Sequence, residues 1–269
     1  MNSGMQRRRS RVIAAAIGVA LVVALVFGYA ATHSRSPAPP AEIEKLSLAL
    51  PALPHFALLH IAAEKGYFAE AGLDVTIVPA IHGKAAVEQL RQGAADLATA
   101  AEVVFLLSVM KGEALGIAAS ILSASSDHAV IARRDHGIAA PRDLAGRKVG
   151  VTFGTSGEYF LWAFLIRHRI APDSVTLVDL PPGQMAQALA AGAIDATATW
   201  QPNVVNILSA MGENAATFSG NDAYGPSMAL VGRSDFLREH PRAMQKLMSA
   251  LLKAEQFNRS HPEDALALV

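Results

Sequence analysis

A short joint occurs twice in this chain. Leu90-x-x-Gly93-x-x-Asp96, running into small residues, reappears 99 residues later as Leu189-x-x-Gly192-x-x-Asp195, again ahead of small residues. In each copy a helical stretch stops at a glycine, turns through an aspartate and enters a β-rich segment. Any α/β protein contains one such joint. Two with matched spacing argue for a pair of similar α/β lobes, and the cleft between two lobes is where small ligands bind.

The hydrophobic pattern agrees with that division. Leu46–Leu50 is a short apolar run, broken by Pro51 and Pro54, and Phe56–Lys65 then reads as a helix stopped by Gly66. Further strands are expected at Asp74–Val78, Asp96–Thr99, Leu115–Ser123, His128–Arg133, Lys148–Phe153, Val175–Leu180, Asp195–Thr199 and Met228–Val231. Helices are expected at Lys84–Gln92, Val103–Met110, Glu158–His168, Met185–Ala191 and Pro241–Phe257. Strands alternating with helices predict an α/β fold with mixed, mostly parallel, helix-covered sheets.

The first 36 residues have a different character. Arg7, Arg8, Arg9 and Arg11 precede Val12–Ala31, a run of 20 residues without a charge. As a helix it is about 30 Å long, the thickness of a hydrocarbon core. Its flanking arginines place the N-terminus in the cytoplasm and the rest outside. Residues 1–36 are therefore expected to be a signal or membrane anchor, the residues leaving both open, with a Pro-rich linker at 37–42. The whole chain has 23 basic and 23 acidic residues; beyond residue 36 the balance is 18 to 23, a mildly acidic exported part. That balance argues against a nucleic-acid partner. The absence of cysteine excludes a lipid-anchored cysteine, a thiolate metal site and a cysteine nucleophile.

Three segments follow in order: KGYFAEAGLDVTIVP (Lys65–Pro79), DLAGRKVGVTFGTSGEYFLWAFL (Asp143–Leu165) and GAIDATATWQP (Gly192–Pro202). Together they resemble the solute-binding proteins of bacterial ABC importers in the nitrate/sulfonate/taurine and thiamine-precursor group, over roughly residues 43–265. The resemblance implies the type II periplasmic-binding fold: two Rossmann-like lobes joined by two crossovers, closing on a ligand by a hinge motion. Carried onto this chain, lobe 1 would span 43–124 with 232–269 returning to it, and lobe 2 would span 125–231. The resemblance implies a monomer that hands a small ion to an ABC permease, with no cofactor, metal or catalytic residue. It also implies several tens of further residues, whereas this chain stops inside the helical pattern Pro262–Val269.

Candidate ligand contacts sit at strand-to-helix joints. Gly154-Thr155-Ser156-Gly157 lies between a strand and a helix whose exposed N–H groups can hold an oxyanion. Thr155-x-x-Glu158 fits a capping box equally well, so Glu158 is read both as a cap and as a ligand contact. Trp200-Gln201-Pro202 follows the second copy of the repeated joint, where the first copy has Ala101-Glu102-Val103; Trp200 can stack on a ligand or belong to the core, and Glu102 can contact a ligand or cap the next helix. His55 and Phe56 follow the first strand, and His82 and Gly83 the second. Ser123 and Asp127 mark the first crossover and Tyr224 the second, each as a cleft wall or a plain hinge residue. Arginines do not cluster as a strong anion site would, and Glu102, Asp127 and Glu158 keep a cation or zwitterion open.

The leading reading is an extracytoplasmic receptor. A membrane-anchored sensing module on the same fold is the alternative. An enzyme of the thiamine-precursor type ranks below both, because those relatives depend on a cysteine-rich motif.

Overall fold

The computed structural model describes residues 43–220 and 223–268. The expected signal or anchor and the linker lie outside the described residues.

The chain begins with β1 (Glu44–Pro51), and a single tight turn at Pro54–Phe56 leads into α1 (Ala57–Glu64). Gly66, in the left-handed conformation, ends that helix and starts the short α2 (Tyr67–Glu70). Then follow β2 (Leu73–Ala80), α3 (Gly83–Arg91), β3 (Leu97–Ala101), α4 (Glu102–Met110) and β4 (Leu115–Ser123). These strands belong to the first sheet. After a first crossover come β5 (His128–Arg133), β6 (Lys148–Val151), α5 (Ser156–Arg167), β7 (Thr176–Asp179), α6 (Met185–Ala190), β8 (Ala196–Trp200), α7 (Asn203–Met211) and β9 (Ala215–Ser219), which build the second sheet. The chain then returns through β10 (Ser227–Arg233), α8 (Ser234–Glu239), α9 (Pro241–Ser260) and α10 (Pro262–Leu266).

The sheets are ordered β2-β1-β3-β10-β4 and β7-β6-β8-β5-β9. In each, one strand next to the edge runs against the other four: β10 in the first and β5 in the second. Each therefore donates its reversed strand after a crossover, and the two sheets have the same plan. Both faces of each sheet are covered, which is why their central strands are almost wholly buried. Leu247, Ala250 and Leu251 of α9 close one face of the first sheet, packing with Leu46, Leu48 and Leu59.

The repeated joint now has a physical reason. Gly93 and Gly192 hold φ of +74° and +70°, and the next residue of each closes a six-residue C-cap: Ala94 N–H on Gln89 O at 2.9 Å, Ala193 N–H on Ala188 O at 3.0 Å. Asp96 then accepts the Ser47 N–H at 2.8 Å, and Asp195 the Lys148 N–H at 2.8 Å. Ser47 is on β1 and Lys148 on β6, the middle parallel strand of each sheet. Each aspartate thus satisfies a strand amide where the ladder to β3 or β8 begins.

One expected boundary is corrected. β10 hydrogen-bonds to β3 and β4, so the chain has rejoined the first sheet by Ser227 and not at 232. Its apolar sequence carries no mark of which sheet it enters. The two crossovers run side by side, with Ala124 N–H on Pro226 O at 3.0 Å. The pattern also passed over α7 and β9. Ala215–Ser219 is too short and alanine-rich to read as a strand.

Asp96→Ala is expected to cost about 1–3 kcal/mol, the typical penalty for stranding a partly buried donor. Urea denaturation measures it, and an unchanged midpoint would show the carboxylate to be dispensable.

Candidate functional site

In the first sheet β1 leads to α1 on one face and β3 to α4 on the other. Between two such neighbouring strands the loops part, and open α/β sheets bind ligands at that point. A cavity of about 30 Å³ lies there, closed by the corresponding end of the second sheet. That is room for roughly two water molecules by the one-probe measure. His55, Phe56, His82 and Gly83 line it from the first lobe, Thr155, Ser156 and Trp200 from the second.

On the first-lobe side, Phe56 is buried in the core and fixes the turn that presents His55. His82 caps α3, its Nδ1 accepting the Ala85 N–H at 3.1 Å. Burial, and then the neighbouring Lys84, push its pKa down, so the ring is neutral with its proton on Nε2. Gly83 is required by packing: a Cβ there would lie 2.8 Å from Ala100 Cα. Lys84, which the sequence did not single out, also lines the cavity and donates to Phe153 O across the lobes at 2.8 Å.

On the second-lobe side, Gly154 turns the chain at φ +70° and Thr155 caps α5, accepting from Gly157 N–H at 3.3 Å and donating to Thr152 O at 2.7 Å. Ser156 follows at the first helical position. Glu158 Oε2 accepts the Gly154 N–H at 2.6 Å, which is the capping reading of that residue. Gly154 and Glu158 line an adjoining groove of about 410 Å³ and not the small cavity. A Cβ on Gly157 would lie 3.1 Å from Trp200 Cζ3, so this glycine lets the buried indole lie against the helix start.

Four groups form a buried chain behind the cavity. His55 Nε2 lies 2.6 Å from Asp127 Oδ1, His128 Nδ1 lies 3.1 Å from Asp127 Oδ2, and His128 Nε2 lies 3.0 Å from Ser156 Oγ. Burial raises the Asp127 pKa, but the two imidazoles outweigh it and hold the carboxyl well below its ordinary range. His128 was missed because, as the first residue of a strand pattern, nothing in its spacing sets it apart. Its neighbour Asp127 was the available signal.

Glu102, Ser123 and Tyr224 are not brought to the cavity wall. Glu102 accepts from Tyr224 O–H at 2.6 Å and from Ser227 N–H at 2.8 Å, tying α4 to the returning crossover. Burial first, and that hydrogen bond second, drive the Tyr224 pKa up. Ser123 is exposed at the end of β4, paired with Ser227. Among the described residues no group of three His, Asp or Glu is placed to hold a metal ion.

The family model described as "NMT1/THI5 like" matches residues 53–265. The chain belongs to the NMT1/THI5-like family. It is 28% identical over 221 residues to the putative aliphatic sulfonates-binding protein of Bacillus subtilis, covering 78% of this chain and 64% of that protein. To the nitrate/nitrite binding protein NrtA of Nostoc it is 26% identical over 251 residues, 85% of this chain and 57% of that one. The solved alkanesulfonate-binding protein SsuA from Xanthomonas axonopodis pv. citri, bound to MOPS, shares the fold with a TM-score of 0.70 at 19% identity, covering 85% of this chain and 79% of that one. The chain spans 64% or less of the length of the curated relatives it matches. The two-lobe α/β arrangement expected from the sequence is thus that of periplasmic binding proteins.

In this NMT1/THI5-like chain each candidate carboxylate is already engaged: Glu102 by Tyr224 and Ser227, Asp127 by His55, Glu158 by Gly154. The polar groups that face the cavity are hydroxyl, imidazole, indole and ammonium, beside the apolar Leu53, Phe56, Val104 and Met228. Asp127, with a depressed pKa in the folded state, contributes stability above the ordinary carboxyl pKa of about 4, and that contribution fades as pH falls below it. Asp127→Asn is accordingly expected to be less stable than the parent at neutral pH, the gap narrowing in acid. Thermal melts across pH check this, and a gap independent of pH would contradict it.

Proposed function

We propose that this chain is the ligand-binding part of an extracytoplasmic solute receptor, a monomer that captures a small oxyanion of the sulfonate or nitrate type between its lobes and delivers it to an ABC permease. Binding and release are the whole of the proposed chemistry; no bond is made or broken. The observation that carries this reading is the convergence of donors from both lobes on one small cavity whose nearby carboxylates are all engaged. Ser156, His82, Lys84 and Trp200 contribute donors, and α5 adds the partial positive charge of its N-terminus. An anion placed there contacts both lobes, so it binds the closed arrangement better than the open one and shifts the population toward it. The Bacillus and Nostoc relatives, named for binding aliphatic sulfonates and nitrate or nitrite, support an anion over a cation.

The cavity suits a headgroup. Lys84 and Val104 line both it and the adjoining groove, which gives an alkyl tail a path toward Phe153 and Lys111. The proposed localisation is the periplasm or extracytoplasmic face, with the protein membrane-anchored or secreted by way of residues 1–36. Among the described residues no helix is long and apolar enough to cross a membrane.

A thermal-shift screen with nitrate, short alkanesulfonates, taurine, bicarbonate, a polyamine and a thiamine-type pyrimidine tests the reading. A ligand at a hundredfold its Kd raises stability by about 2.7 kcal/mol. Anions are expected to shift the melting temperature and the polyamine not to. Trp200→Ala is expected to abolish the largest shift while the unliganded protein still melts cooperatively. A shift produced by the polyamine alone would reverse the proposed charge of the ligand.

A further inference from the structure

The chain His55–Asp127–His128–Ser156 contains more buried polar atoms than it satisfies. The side chains of His55, Asp127 and His128 are each at least nine-tenths buried. His55 Nδ1, Asp127 Oδ2 and His128 Nδ1 make no hydrogen bond. The last two are 3.1 Å apart but out of line. A carboxylate only accepts, so His55 must carry a proton on Nε2, where it meets Asp127 Oδ1. With one further proton, one imidazole becomes cationic and balances the carboxylate. A second imidazolium would leave a net positive charge in a buried place, which is costly unless an anion stands beside it. Ser156, at the end of the chain, lines the cavity, and so does His55.

We propose that the cavity takes up its anion together with a proton, which the His55–Asp127–His128 cluster holds. This rests on the receptor reading above. The anion supplies the missing negative charge and the proton the missing donor, so each favours the other, and the linkage is reciprocal. His55 comes from the first lobe, while Asp127 and His128 open the second, so the protonated cluster also strengthens the contact that joins the lobes. Other titratable groups surround the cluster: His82 and Lys84 at the start of α3, Glu102 at the start of α4, Glu158 and Tyr159 on α5, and Tyr224 on the returning crossover. Glu102, Tyr224 and Glu158 are engaged with each other or with backbone, and His82 Nδ1 is occupied by its capping bond.

The test measures the Kd of nitrate and of methanesulfonate between about pH 5.5 and pH 8.5, spanning the ordinary imidazole range. Calorimetry in two buffers of different ionisation heat reads proton uptake directly on the unaltered protein. Affinity is expected to weaken with rising pH by up to tenfold per unit, the limit for about one linked proton, with net proton uptake on binding. His55→Gln keeps a donor for Asp127 but cannot be protonated, and is expected to flatten the slope and reduce the uptake. Binding that is independent of pH and takes up no proton overturns the proposal and leaves the receptor reading standing. A slope that survives both His55→Gln and His128→Gln but vanishes in His82→Gln overturns it as well. If neither probe, nor any other anion of the screen, binds at any pH, the receptor reading fails and this inference fails with it.

Discussion

The contact between His55 and Asp127 sits where the architecture is weakest. Each lobe has its own sheet, with helices on both faces and its own pair of cores, and is held by burial that does not involve the other. Between the lobes there are two strands of crossing chain and a few polar contacts. A buried imidazole–carboxylate pair at 2.6 Å is the one most withdrawn from water. Lys84 on Phe153 O and Glu102 on Tyr224 stand on either side of it, the first of them exposed. Withdrawal from solvent strengthens an electrostatic contact that surface exposure would reduce to little. The relation of the lobes therefore turns on the charge state of a handful of groups, and these same groups form the wall and backing of the cavity.

Placement of that wall follows from the repeated plan. In both sheets the parallel strands end toward the same gap, and the helix that follows each strand begins there. Helix starts bring unpaired N–H groups and the residues that cap them, so one side of the gap gathers Thr155 and Ser156 while the other gathers His82. Capping and ligand contact thus compete for the same side chains. Thr155 resolves the competition by spending its oxygen on Gly157 and its proton on Thr152, which leaves Ser156 as the hydroxyl turned to His128. Glu158 resolves it by folding back on Gly154.

This competition also explains what could be read from the sequence. The lobes, the alternation of strands and helices, and the joints bearing His55, His82 and Thr155 were legible, because apolar period and glycine position are local signals. Trp200 could be located at the end of its strand, although its direction could not. The role of Glu102 was not legible, since it depends on Tyr224, a residue 122 positions away brought near only by the second crossover. Lys84 and His128 were passed over for the same reason: one reaches Phe153 and the other Ser156 across gaps that no spacing encodes. The sheet that β10 joins was equally hidden, because an apolar strand of seven residues fits the middle of either.

Closure of such a cleft is a matter of differential affinity. A ligand that touches one lobe alone binds the open and closed arrangements equally and shifts nothing, however tight it is. Moving a population from one part in a hundred to ninety-nine takes roughly 5.5 kcal/mol of preference for the closed form. Charge-assisted hydrogen bonds contribute about 1.5–3 kcal/mol each, so two or three donors on the lobe opposite the one first engaged are enough. The cavity offers two from each side: His82 and Lys84 from the first lobe, Ser156 and Trp200 from the second. Both sets line one small cavity, so an anion engaged by one stands within reach of the other. In the proposed receptor, it is the placement of these donors on both lobes, and not only the ligand's charge, that couples capture to closure.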